Sequence, residues 1–382
     1  MREFDVLIVG GGVAGPVAAK FCATRGLRTL LVEKEKVPRE KVCSGIQFPY
    51  FEKIIGDRIP KDRLCNNVLS KVEIHYPDGR TMRMRFPMLN FMRNRLDEWL
   101  CLLARERGAE FRDSCTFKDF EEDAEGIVAR LESGGREEAV RAKYLVDATG
   151  LRSGIRRRIG NAEAFRKERS GPTLSYYFRA EGDLKPDTVY QFWNIEYNDA
   201  MFAWVYNKTL EDGLDYWVVG TKHDQDVRAR LSLFFDHVKA LYHLTNVEVV
   251  KKESYGASMS MASEERIWLG RGRVFMTGDA AGLVDLARGM GMDAAALSGR
   301  LAARAIGASI AEGKPASDLY SLLMRRLVTR TRKNQGNTVL SVGTNAELQA
   351  HLDKGMLRMG ADMFAQNLIN KVRSGEQQVM LP

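Results

Sequence analysis

The segment Val9-Gly10-Gly11-Gly12-Val13-Ala14-Gly15 follows a short apolar strand pattern, Asp5 to Val9, and opens a helical pattern running towards Cys22. Glycines at this spacing do separate jobs. Gly10 permits the tight strand-to-helix turn, Gly12 lets a pyrophosphate approach the backbone closely, and Gly15 lets the helix pack on the strand. The helix N-terminus offers unpaired N–H groups and a partial positive charge to the same anion. A second apolar strand pattern, Thr29 to Val32, ends in Glu33, 23 residues beyond Gly10. A carboxylate there accepts hydrogen bonds from an adenosine ribose. Strand, glycine turn, helix, strand and acid in this order restrict the start of the chain to a Rossmann-like unit that binds a dinucleotide.

With 382 residues, 45% of them hydrophobic, the chain has material for two or three domains. Five cysteines, Cys22, Cys43, Cys65, Cys101 and Cys115, form no C-x-x-C pair, which argues against a zinc site or a disulfide framework, so no metal is expected. The formal charge of +8 gathers in no long basic tract. Nucleic acid is therefore not an expected partner, whereas an acidic cofactor or an anionic membrane surface suits the charge. No stretch approaches the ~18 to 20 apolar residues of a membrane span, and Met1 to Val9 is too short and too acidic for a signal peptide. A cytoplasmic protein is expected, with peripheral membrane contact left open.

After Glu33, the basic irregular segment Lys34 to Gly45 reads as a loop along the cofactor. Lys34, Arg39 and Lys41 supply charge for phosphate oxygens, and Ser44-Gly45 allows close backbone approach. A hairpin is expected over residues 70–87, turning at Pro77-Asp78-Gly79. An amphipathic helix follows Arg93, with Leu96, Leu100, Leu103 and Ala104 on one side. Strand-like Gly126 to Leu131 and Tyr144 to Val146 lead to Asp147-Ala148-Thr149-Gly150, the return of the chain to the nucleotide-binding sheet. From Pro172 to about Tyr255 the pattern is β-rich and aromatic, with one helix at about Val227 to Tyr242. This predicts an antiparallel sheet roofing an apolar pocket, with Tyr190, Phe202, Trp204, Tyr206 and Trp217 as candidate pocket walls. Arg273 to Met276 is a last buried strand, running into Thr277-Gly278-Asp279-Ala280-Ala281-Gly282 and then the helix that opens near Gly291-Met292. Asp279 is placed to accept from a cofactor sugar-alcohol hydroxyl, and the N–H groups near Gly291 and Met292 face the electron-rich carbonyl edge of a redox ring. The helical tail is expected to pack on the cofactor domain, cover the substrate entrance or mediate assembly.

Three separated motifs together resemble the FAD-dependent family that includes p-hydroxybenzoate hydroxylase, and more closely its geranylgeranyl reductase-like branch. They are Gly10-x-Gly12-x-x-Gly15 with Glu33, Asp147-Ala148-Thr149-Gly150, and Gly278-Asp279-Ala280-Ala281-Gly282. Pro38-Arg39-Glu40-Lys41-Val42-Cys43-Ser44-Gly45 is similar to the branch's Pro-Arg-x-Lys-x-Cys-Gly-Gly segment, and Arg93 with Asp97 to its Arg-x-x-Phe-Asp helix start. Phe202-Ala203-Trp204-Val205-Tyr206-Asn207-Lys208 looks like its Tyr-x-Trp-x-Phe-Pro signature, with Phe202 in place of Tyr and Asn207 in place of Pro. The resemblance implies bound FAD, held by Ala14, Glu33, Ser44, Gly45, Arg93, Asp279, Gly291 and Met292.

The implied organisation is an FAD-binding domain over 1–171 and 261–330, an inserted antiparallel substrate domain over 172–260, and a helical region over 331–382. The leading functional expectation is reduction of carbon–carbon double bonds in an apolar, isoprenoid-like or aromatic substrate by hydride from flavin N5, with NAD(P)H or ferredoxin as external electron donor. Cys43, Arg288 and Asp293 are the candidates for a catalytic role near the flavin. A flavin monooxygenase acting through a flavin hydroperoxide is the alternative, because one fold hosts both activities. A halogenase is a third reading, and a non-catalytic flavin- or lipid-binding protein a fourth.

Overall fold

The computed structural model describes residues 1–160, 170–199, 202–223, 225–258, 267–285, 289–336 and 342–372. Strand Arg2–Val9 sits at the centre of the first sheet, parallel to Thr29–Val32 on one side and to Arg136–Asp147 on the other. Glu110–Arg112 continues beyond Thr29–Val32, and Val274–Met276 beyond Arg136–Asp147, both in parallel. Val6, Leu7, Ile8, Leu30, Leu31, Val32, Leu145 and Val146 are all fully buried. Such unbroken apolar runs suit parallel strands covered on both faces. Helices Ala14–Thr24, Arg93–Glu106 and Met292–Glu312 contribute to the same core. Helix Ala316–Gly336 packs on Met292–Glu312, and its Tyr320 hydroxyl donates to the Met276 carbonyl at 2.8 Å.

The second sheet runs in the spatial order Thr245–Ser258, Ser170–Glu181, Asp215–Lys222, Ala203–Thr209, Thr188–Phe192, Cys65–His75, Thr81–Phe91 and Ile46–Gln47. The hairpin around Pro77-Asp78-Gly79 forms as expected, but in this sheet rather than with the first domain. Its strand Cys65–His75 lies parallel to Thr188–Phe192, Val72 opposite Val189 and Ile74 opposite Gln191. Alternation marks a hairpin without naming its partner, and here the partner lies more than a hundred positions along the chain. The roof sheet thus draws strands from outside residues 172–260.

Side chains alternate between the two faces of this sheet. Helix Val227–Leu241 covers one face, setting Leu231, Phe234, Phe235 and Val238 against Leu174, Phe178, Tyr190, Phe192, Val205 and Val219. Asp226 caps that helix, its carboxylate accepting from the N–H groups of Arg228 and Ala229, which satisfies two of the four unpaired donors of the first turn. The other face gathers Tyr177, Trp193, Tyr206, Tyr216 and Val218. Leu348 and Leu352, at the start of the last helix, Asn345–Val372, pack there. Asn345 fixes that docking by accepting from Ile195 N–H and donating to Asn194 Oδ1, both at 3.0 Å.

Candidate cofactor and substrate site

Four parallel strands end along one edge of the first sheet, at Val9, Val32, Asp147 and Met276, and the sequence motifs begin where they end. Ligands of open α/β sheets bind in the crevice at this edge. Gly10 has φ of +112°, and a Cβ there would fall 2.4 Å from the Ala148 carbonyl oxygen. At Gly15 a Cβ would fall 1.9 Å from the Gly10 carbonyl oxygen, so turn and helix can close only on glycine. Gly12 differs: the nearest neighbour of a Cβ there is the Arg39 guanidinium at 3.7 Å. Its backbone is therefore open to a close approach. Ala14 is buried where helix Met292–Glu312 crosses, its carbonyl 2.3 Å from the position of a Cβ on Gly299.

Glu33 is buried at the end of the second strand. It accepts from Gly11 N–H at 2.7 Å and Glu35 N–H at 3.0 Å. Arg39 bridges Glu33 and Asp97, at 3.4 Å and 3.2 Å, and Asp97 also takes both arms of the Arg93 fork at 3.0 Å each. Cys43 lines the same pocket as Arg93. Burial works against the Arg93 charge, yet Asp97 and Cys43 keep its guanidinium more basic than usual. A buried charge pair that loses one partner costs about 3–5 kcal/mol, so this chain of two acids and two arginines holds the loop from Glu33 to Cys43 firmly on helix Arg93–Glu106. Lys34 lies apart from it, its ammonium in solvent beside Glu35 at 3.6 Å. The position next to Glu33 in sequence did not bring its side chain into the site.

At the far end of the crevice Asp147 is fully buried, accepting from Thr149 N–H at 2.9 Å, from the Thr149 hydroxyl at 2.6 Å and from the Ser153 hydroxyl. Burial raises its pKa, against the pull of those bonds and of Arg156. Arg156, buried and over the Trp268 ring, donates to the Ala280 carbonyl at 2.8 Å. The two motifs Asp147-Ala148-Thr149-Gly150 and Gly278-Asp279-Ala280-Ala281-Gly282 are thereby tied to each other. Asp279 lies at the start of the short 3-10 turn Gly278–Ala281. Among the described residues no group donates a hydrogen bond to its carboxylate. Burial raises its pKa, while Lys41 and Arg93 pull it back down. A Cβ on Gly291 would fall 3.4 Å from Asp279 Oδ1. Gly291 and Met292 open the helix Met292–Glu312 there, so a lone carboxylate and a helix N-terminus stand side by side.

Where the Glu40–Cys43 loop and the start of helix Arg93–Glu106 meet the antiparallel sheet, a pocket is lined by Glu40, Lys41, Cys43, Met92, Arg93, Asn94, Tyr177, Lys208 and Glu253. Phe202, Trp204, Tyr206 and Tyr177 share the sheet face on this side. Tyr190 and Trp217 do not belong with them. Tyr190 pairs with Val205 and Trp217 with Asn207, one step out of phase with Trp204 and Tyr206, and both lie under helix Val227–Leu241. Asp293 is fully buried, accepting from the Tyr50 hydroxyl at 2.7 Å and from Ala294 N–H at 2.8 Å. These bonds turn its carboxylate into the protein. Arg288 lies outside the described residues. Sequence reasoning missed Lys208, whose ammonium is buried and donates to three oxygens, and Glu253, which accepts from the Tyr177 hydroxyl at 2.9 Å. Lysine and glutamate on a strand read as solvated; only the strand alternation, which sets Lys208 in phase with Trp204 and Tyr206, pointed inward.

An FAD binding domain family matches residues 73–322, and another of the same description matches 5–45. The chain belongs to the FAD binding domain family. Digeranylgeranylglycerophospholipid reductase 2 of Methanopyrus kandleri is 25% identical over 387 aligned positions, 99% of this chain and 94% of that protein. The crystal structure of a geranylgeranyl bacteriochlorophyll reductase-like protein from Thermoplasma acidophilum has a TM-score of 0.78 at 21% identity, covering 92% of this chain and 90% of that one. The p-nitrophenol 4-monooxygenase of Pseudomonas putida shares the fold at a TM-score of 0.69 and 18% identity, covering 97% and 99%. The protein is an FAD-dependent oxidoreductase, and its likeness to geranylgeranyl reductase-like flavoproteins extends over nearly the whole chain. Its residues fit the cofactor: an open glycine backbone at Gly12, an acid closing the second strand, and an unpartnered carboxylate beside a helix start. No described helix is long and apolar enough to cross a membrane.

Proposed function

We propose that this flavoprotein reduces carbon–carbon double bonds of an isoprenoid-like substrate lying between FAD and the antiparallel sheet. In this reading Gly10, Gly12, Ala14, Gly15 and Glu33 hold the adenosine and pyrophosphate, with Arg39 bracing Glu33. Ser44, Gly45, Arg93, Asp279, Gly291 and Met292 hold the flavin half. When bound, FAD supplies the redox chemistry, a hydride passed from N5 to the alkene. The chain supplies position and dryness. Trp204, Tyr206 and Phe202 form an aromatic wall, Leu348 and Leu352 pack on the same sheet face, and the helix start at Gly291 and Met292 would supply N–H groups to the flavin. Electrons come from NAD(P)H or ferredoxin, and the enzyme works in the cytoplasm against a membrane surface that holds its substrate.

One observation carries this reading: whole-length similarity to a digeranylgeranylglycerophospholipid reductase in a chain whose described residues set an aromatic wall on the antiparallel sheet. Arg93, Glu253 and Lys208 make the pocket more polar than a polyprenyl chain alone needs, so a substrate with a polar end is expected. Anaerobic turnover decides between the reductase and the monooxygenase. Chemically reduced protein mixed with geranylgeranyl lipids without oxygen should be reoxidised, and the product should gain two hydrogens per double bond. Product formed only with oxygen, and carrying an oxygen atom, would establish the monooxygenase; reduced flavin that no alkene reoxidises would leave a binding protein.

A further inference from the structure

Lys208 is almost fully buried. Its ammonium donates to the Ser44 carbonyl at 2.5 Å, the Phe91 carbonyl at 2.7 Å and Asn90 Oδ1 at 3.2 Å. All three N–H groups are used, and every acceptor is neutral. Gly45, with φ of +73°, fits against the same corner: a Cβ there would fall 2.0 Å from the Phe91 carbonyl oxygen and 3.1 Å from Lys208 Nζ. One side chain from strand Ala203–Thr209 thus joins the roof sheet to the turn after Cys43 and to the residue that leads into Arg93.

We propose that Lys208 is a positioning residue for FAD: its charged ammonium pins the Ser44–Gly45 turn to the antiparallel sheet, so that cofactor affinity depends on the protonation of this one amine. The inference rests on the reading that this turn lies against the flavin. An uncharged amine has two N–H donors and a lone pair. Deprotonation must therefore break one of the three bonds and leave a lone pair facing an oxygen. Burial brings this amine down to about 8, with Cys43 and Glu253 opposing that and Arg93 and Lys251 adding to it. The switch falls within the working range of an enzyme. The charged and titratable groups around it are Glu40, Lys41 and Cys43 from the loop, Arg93 from the helix start, Tyr177 from strand Ser170–Glu181, and Lys251 and Glu253 from the edge strand.

The test is the FAD dissociation constant of the full chain, by flavin fluorescence from about pH 6.5 to about pH 9.5, for wild type, K208M, K208R and C43S, with thermal melting of each apoprotein. Wild type should lose affinity about tenfold as the pH rises through the amine's titration, the worth of one charge-assisted hydrogen bond; C43S, whatever its own affinity, should keep a fall of that size, displaced to lower pH because Cys43 opposes the lowering of the amine. K208M should bind about tenfold more weakly at low pH and lose the pH dependence; K208R, always charged, should hold its affinity at high pH. A K208M protein that melts earlier yet keeps the wild-type affinity and pH profile would make Lys208 merely structural and overturn the inference. A profile that vanishes in C43S would assign the titration to the thiol and overturn it as well. Wild type that binds no FAD at any pH would instead overturn the functional reading beneath it.

Discussion

The two acids of the cofactor crevice are held in opposite ways. Glu33 already has partners: two backbone N–H groups donate to it, Arg39 lies against it, and Arg39 in turn shares Asp97 with Arg93, and acceptor sites remain on its carboxylate. Asp279 has no described donor, and burial raises its pKa. The first half of the site is therefore built by folding alone, because local backbone and four charged side chains satisfy one another. The second half carries an unsatisfied carboxylate that a hydroxyl-bearing ligand would complete. Asp279 is half-buried, and a partly desolvated acid without a described donor costs stability that a bound hydroxyl would restore.

Substitutions at the two ends should break apart in kind. The largest effect is expected from D97A, which strands the Arg93 guanidinium and takes from Arg39 one of its two carboxylates; unfolding in urea should show a loss of about 3–5 kcal/mol. A loss below about 1 kcal/mol would show that the Glu33 end is not a preformed network. D279N should act the other way round. Fluorescence titration should show FAD affinity falling roughly 10- to 100-fold, the worth of a hydrogen bond to a charged group, while the apoprotein is no less stable. The sign follows from the raised carboxyl: the ionised form is disfavoured in the folded state, so wild-type stability falls as the pH climbs from the ordinary carboxylate range through the raised value. D279N should remove that fall. E33Q keeps an acceptor for Gly11 N–H but loses the charge against Arg39. It should weaken FAD roughly tenfold and cost about 1–2 kcal/mol in the same unfolding assay. The smallest change is expected from Y50F, which removes one bond to Asp293; about 1 kcal/mol of stability should go, with FAD affinity unchanged. A large loss of affinity in Y50F would restore Asp293 to the cofactor site.

The same contrast separates what the sequence could reveal. Gly10, Gly12, Glu33 and Asp279 were legible because each lies within three residues of a strand end, and Gly15 because it opens the helix that follows, where neighbours in sequence are neighbours in space. The roof sheet was legible as aromatic strands but not as a topology. Pairing of Cys65–His75 with Thr188–Phe192 is long-range, and nothing local encodes it. Tyr190 and Trp217 were grouped with Trp204 by aromatic density, when the parity of each strand was the informative signal. Lys34 and Lys208 exchanged roles for a related reason. Both are lysines in stretches the motifs single out, but only Lys208 lies on a strand whose alternation turns it inward. Asp293 is a candidate in sequence for a role near the flavin, and its burial against Tyr50 depends on the segment before helix Phe51–Ile55, far off in the chain.

Hydrogen exchange at single-residue resolution, with and without one equivalent of FAD, tests most directly whether one cofactor spans both ends. The account predicts slowed exchange at the N–H groups of Gly12 to Ala14 and, in the same titration, at Gly291 and Met292, while Gly11 N–H, already bonded to Glu33, changes little. Protection at only one end, or at neither, would contradict it.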